Sequence, residues 1–118
     1  MHTILIVDDH AGFRAQIRAL LEADGFHVVG EAGDAAAAFA AVRSLGPDLV
    51  LLDIGLPDLD GFEVARRLAV QAAAPRVVLT STREASEFGP RIDHSPVLGF
   101  IAKEELSGSA IAALVDGA

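Results

Sequence analysis

The run from Asp48 to Asp53 is apolar between its two acids and shows no alternation. A strand with one wet face alternates polar and apolar residues, so an unbroken apolar run of this length suits a strand covered on both faces. That requirement predicts a parallel sheet sandwiched between helices. The rest of the chain reads accordingly. Thr3–Val7 is a β-branched, apolar run of strand length, and Ala11–Ala23 carries Phe13, Ile17, Leu20 and Leu21 at helical spacing before Gly25. Phe26–Glu31 reads as a second strand. Asp34 can cap an Ala-rich helix over Ala35–Leu45, which Gly46-Pro47 ends.

A helix begins at Asp60 with Val64, Leu68 and Ala72 on one face. Arg76–Thr80 and Val97–Ala102 are the remaining strands, and Ser107–Val115 is a last helix with Ile111, Leu114 and Val115 inward. Arg83–Pro96 should hold a helix by alternation, but Gly89-Pro90 interrupts it, so a short, broken or displaced helix is expected there. The prediction is a β-α unit repeated five times, forming one α/β domain over residues 1–118 with right-handed crossovers and helices on both faces.

Composition narrows the possibilities. An apolar content of 52% in 118 residues supports a packed core, and the absence of cysteine suits the cytoplasm. The longest apolar runs fall far short of the roughly 20 residues a membrane helix needs, and the start of the chain lacks the basic region of a signal peptide. A net charge of −8 repels phosphate backbones, so direct nucleic-acid binding is not expected.

Ligands of such sheets bind at the carboxyl ends of the strands. Those ends carry Asp8 and Asp9, then Asp53, then Thr80 followed by Ser81 and Thr82, then Lys103. Clustered carboxylates must share a cation or raise their pKa values, and an all-oxygen set suits Mg²⁺, with Mn²⁺ able to substitute. A carboxylate beside such an ion can attack a phosphoryl group, whose charged oxygens a lysine and a hydroxyl would hold. Of nine Lys plus Arg residues, Lys103 is the only lysine. A compact ammonium is not interchangeable with a guanidinium.

Taken in order, Ile4-Leu5-Ile6-Val7-Asp8-Asp9, Asp53 with Pro57 and Asp60-Gly61, Thr80 after Val77-Val78-Leu79, and Gly99-Phe100-Ile101-Ala102-Lys103 resemble response-regulator receiver domains over essentially the full length. The resemblance implies a flavodoxin-like sheet of strand order 2-1-3-4-5. It implies Asp53 as phosphoacceptor, and Mg²⁺ held by Asp9, by Asp8 largely through water, by Asp53 and by the Gly55 carbonyl. Thr80 would bond a phosphoryl oxygen, Lys103 would pair with another, and Phe100 would sit at the switch-aromatic position, although the usual burial of Phe favours core packing over a switch. Gly55 and Thr82 would flank the attacking water and tune lifetime. The implied partners are a sensor histidine kinase or phosphotransfer protein and a downstream protein or effector domain, with a homodimer possible. The expected role is a switch rather than an enzyme.

Glu104 stands where many receivers have Pro, and Phe100 replaces a frequent Tyr. The broken Arg83–Pro96 stretch puts the usual output surface in doubt. Two other readings stay open: a receiver-fold binding module that takes no phosphate, and an Asp-nucleophile phosphatase. Gly55 stands where such phosphatases carry their second acid. A stand-alone receiver and one that works with an effector domain are both compatible with the sequence.

Overall fold

A computed structural model describes residues 2–117, so Met1 and Ala118 of the expected 1–118 domain lie outside it. The elements run β1 (Thr3–Val7), α1 (Ala11–Ala23), β2 (His27–Ala32), α2 (Ala35–Leu45), β3 (Leu49–Asp53), α3 (Gly61–Ala69), β4 (Arg76–Ser81), β5 (Gly99–Ala102) and α4 (Gly108–Asp116). All pairings are parallel and the sheet order is β2-β1-β3-β4-β5, as expected.

The parity of side chains explains why β1 and β3 are apolar throughout. Leu5, Val7, Val50 and Leu52 enter one core with Ala38 and Val42 of α2 and Val64 and Leu68 of α3. Ile4, Ile6, Leu49 and Leu51 enter the other with Ile17 and Leu21 of α1 and Ile111 and Val115 of α4. Each fully buried aliphatic side chain contributes about 1.5–3 kcal/mol before conformational entropy is counted. Asp8 and Asp53 continue the parity of Ile6 and Leu51, so both head toward the α1/α4 side of the sheet edge.

Local chemistry sets the helix boundaries. Asp34 accepts from Ala37 N at 2.8 Å to start α2, and Gly46 ends it in the left-handed region at φ 56°. Asp60 accepts from Phe62 N at 2.7 Å to start α3. That helix stops at Ala69, so Ala72 lies beyond it, where the chain must turn before Pro75 and β4. Leu20 faces outward, 39% exposed, instead of joining the core.

Between β4 and β5 the alternation breaks. Two single turns of 3₁₀ helix, Ala85–Glu87 and Gly89–Arg91, replace a regular helix. Gly89 at φ 56° and Pro90, which has no N–H to donate, account for the break. β5 is shorter than the expected Val97–Ala102, although Leu98 N still donates to Val77 O at 2.8 Å.

Candidate functional site

The carboxyl edge gathers the strand-end residues the sequence singles out. Asp8, only 1% exposed, anchors its Oδ1 on His10 N at 2.8 Å. Asp53, 6% exposed, closes an Asx-type turn by accepting from Gly55 N at 3.1 Å. Lys103 comes from the single 3₁₀ turn (Lys103–Glu105) that follows β5. It places Nζ 2.5 Å from Asp8 Oδ2 and 3.3 Å from Asp53 Oδ2, with the Phe13 ring centroid 4.3 Å away. One ammonium therefore bridges two buried carboxylates. Asp8 Oδ2 has no well-aligned hydrogen bond, so this ion contact alone compensates it.

Burial disfavours the charged form of all three groups, and their neighbours decide the net direction for each. For Asp53, burial dominates and the Asp8 charge adds to it, so its carboxyl titrates above the ordinary range despite the Gly55 N–H and Lys103. For Asp8, burial is outweighed by Lys103 and the His10 N–H, and its carboxyl lies below that range. Burial disfavours the Lys103 ammonium, but the two carboxylates more than offset it and hold the group charged.

Asp9 and His10 take the outer position. His10 is 72% exposed at its side chain, as a solvated residue should be, yet its Nδ1 lies 3.0 Å from Asp9 Oδ1 and 3.3 Å from Asp8 Oδ1. Potential ligand atoms of Asp8, Asp9 and His10 fall within 4.8 Å of one another. The donor chemistry fits a hard cation: the carboxylates of Asp8 and Asp9 supply oxygens, and Asp8 Oδ2 is a buried oxygen whose compensation comes from a positive charge, that of Lys103.

Thr80 pairs with Asp53 across the β3–β4 ladder but turns its hydroxyl away, donating to Ile101 O at 2.7 Å. Ser81 and Thr82 line the cavity above Asp53 instead. Phe100 is partly buried and packs on Phe88, with ring centroids 5.7 Å apart. The cavity measures about 590 Å³ and reaches from Asp53, Gly55 and Lys103 to Arg83, Phe88 and Arg91.

Two supporting residues, Arg14 and Asp58, escape a reading of the sequence, and a third, Gly61, shows there without its packing role. Arg14 Nη1 donates to the Asp8 carbonyl at 2.6 Å while its Nε holds Glu31 at 3.0 Å. Asp58 accepts from Ala35 N at 2.8 Å and Ala36 N at 3.1 Å, tying the loop after β3 to the start of α2. Gly61 lies so close to β3 that a Cβ there would stand 2.6 Å from Ile54 Cα. The Asp60-Gly61 pair is the one visible trace of that approach; the other two ties have no local signal.

Fold and site together define an α/β domain with buried acids and a lysine at the carboxyl edge of a 2-1-3-4-5 sheet. A family model of the response regulator receiver domain matches residues 4–115, and the chain belongs to that family. It is 41% identical over 105 residues to a Pseudomonas aeruginosa protein described as a candidate transcriptional regulator, covering 89% of this chain and 51% of that protein. It is 39% identical over 102 residues to BvgA of Bordetella pertussis, described as a candidate positive transcription regulator of virulence factors, covering 86% of this chain and 49% of BvgA. The chain thus spans about half the length of the curated relatives it matches. A two-component response regulator of the LuxR family from Aurantimonas superposes with a TM-score of 0.88 at 31% identity, covering 99% of this chain and 86% of that one. Receiver domains of response regulators work with kinases and effector domains in two-component systems. Among the described residues no helix is long and apolar enough to cross a membrane.

Proposed function

We propose that this receiver domain is a cytoplasmic phosphorylation switch whose acceptor is Asp53. The observation that carries the reading is the buried Asp53 carboxylate at the end of β3, 3.3 Å from the Lys103 ammonium and open to the cavity. Asp53 Oδ attacks phosphorus and forms an O–P bond. The N–P bond of a phosphohistidine on a sensor kinase or phosphotransfer protein breaks, and the leaving imidazole nitrogen keeps the bond pair. Lys103 offsets charge on the phosphoryl oxygens.

Asp8, Asp9, Asp53 and the Gly55 carbonyl would hold Mg²⁺, which supplies charge neutralisation at the transferring group. Thr80 would release Ile101 O to bond a phosphoryl oxygen, and Phe100 would repack as β5 responds. The acyl phosphate thus biases a two-state equilibrium that a downstream protein or effector domain reads. Water attack at phosphorus returns the Asp53 carboxylate and inorganic phosphate, which makes the domain a self-resetting switch rather than an enzyme acting on a separate substrate. The net charge of −8 argues that any nucleic-acid contact belongs to the partner and not to this domain.

Intact-mass analysis after incubation with Mg²⁺ and acetyl phosphate tests the reading. One phosphoryl adduct is expected on the wild type and none on Asp53→Asn. An adduct that persists in Asp53→Asn would reject Asp53 as acceptor.

A further inference from the structure

The segment between β4 and β5 is fastened by side chains. Arg91 Nη2 lies 3.1 Å from Asp60 Oδ2, and its guanidinium carbon sits 4.1 Å from the Phe62 ring centroid. Phe88 stands edge-on to Phe62 at 5.7 Å and tilted against Phe100 at 5.7 Å. Asp60 and Phe62 open α3, and Phe100 lies in β5. Phe88 and Arg91 also wall the cavity over Asp53. On its far side Arg91 borders a second groove of about 440 Å³ with Pro90 and His94. Arg91 and its partner Asp60 line both spaces, so the ion pair forms the partition between them.

We propose that Arg91 is a positioning residue that latches the segment 84–96 over the Asp53 cavity, and that the latch sets how freely water and small phosphodonors reach the acceptor. The latch stands on the contacts above; its effect on phosphoryl lifetime rests on the phosphoacceptor reading of Asp53. Gly89 at φ 56° and Pro90 deny the segment a helix that could hold it without side-chain help. The ion pair is half-exposed, 55% at Arg91 and 46% at Asp60, so salt and water weaken it. Such a fastening opens readily, as a gate must. Its two parts ask for a guanidinium: the charge meets Asp60 while the flat face covers Phe62.

The test compares Asp60→Asn, Arg91→Gln, Arg91→Lys and the Asp60→Asn/Arg91→Gln double variant. Asn still caps α3 but removes the charge that Arg91 meets. Amide hydrogen exchange of a peptide spanning residues 84–96 is read against the Leu49–Leu52 amides of β3. Exchange in the segment should quicken about two- to fivefold in each non-conservative single variant, the factor an exposed pair of this kind carries. The double variant should be no faster than the faster single, Arg91→Lys should be intermediate, and β3 should not change. The half-life of the acetyl-phosphate adduct, followed by intact mass, should shorten by a similar factor.

Unchanged segment exchange, additive effects in the double variant, or equal acceleration in β3 would overturn the latch. Faster exchange with an unaltered adduct half-life would overturn its control of access. A wild type that takes no adduct would sink the phosphoacceptor reading, while the exchange comparison would still decide the latch.

Discussion

The Thr80 hydroxyl donates to the Ile101 carbonyl at 2.7 Å, so the residue nearest Asp53 on β4 is bound to β5. Removing that hydroxyl while keeping the shape, as in Thr80→Val, should cost about 1 kcal/mol. Thr80→Ser should cost less. Urea denaturation of both variants checks this, and the same Thr80→Val protein should uncouple Asp53 phosphorylation from any partner binding it controls.

Gly61 has no room for a side chain. A Cβ would meet Ile54 Cα at 2.6 Å and the Asp53 carbonyl at 2.8 Å, both backbone atoms that cannot swing aside. Gly61→Ala should destabilise the fold by about 1–3 kcal/mol through overpacking. A lower urea midpoint at constant m-value would establish it.

Gly55 differs. Among the described residues beyond its chain neighbours, a Cβ there would approach only Asp53 Oδ1, at 3.9 Å. Gly55→Leu should leave thermal stability within about 0.5 kcal/mol, as surface substitutions do, yet alter the lifetime of the Asp53 adduct. An unaltered lifetime would reject Gly55 as a tuning position.

Asp58 holds its carboxyl below the ordinary value of 3.8 because Ala35 N–H, and then Ala36 N–H, favour the charged form. A depressed folded pKa contributes stability at pH above that value and loses it as pH falls through the folded value. The stability gap between wild type and Asp58→Asn should therefore be widest near neutrality and should close below pH 3.8. Denaturant midpoints across that range give the slope.

Asp53 shows the opposite sign. Burial and the Asp8 charge raise its pKa, so ionisation costs folding stability as pH rises through the folded value. Asp53→Asn should melt higher than the wild type at neutral pH without metal. Added Mg²⁺ should raise the wild-type melting temperature, and chelation should reverse the rise, while Asp53→Asn should respond less.

What the sequence discloses depends on the range of the interaction. β3 is legible because a strand covered twice must be apolar on both parities, and Asp8, Asp53 and Lys103 are legible because each directly follows or closes a strand. The direction of the Thr80 hydroxyl is not, since Thr80, Ser81 and Thr82 all offer one and only the packing against β5 chooses. Asp58 reaches across to α2 and Arg14 to the Asp8 carbonyl, contacts that exist only once crossovers have set the elements side by side. The end of α3 at Ala69 likewise comes from the return to β4, not from the helix-favouring alanines that follow.

The two sides of the cavity over Asp53 are tied down unequally. The Gly55–Asp60 side is pinned at both ends, by Asp58 to the start of α2 and by Gly61 N donating to Ile54 O at 2.9 Å. The Thr82–Arg91 side rests on rings and one wet ion pair. On the phosphoacceptor reading proposed for Asp53, a strain applied there would move the side with the weaker ties, which gives the cavity a built-in polarity toward β5 and away from α2.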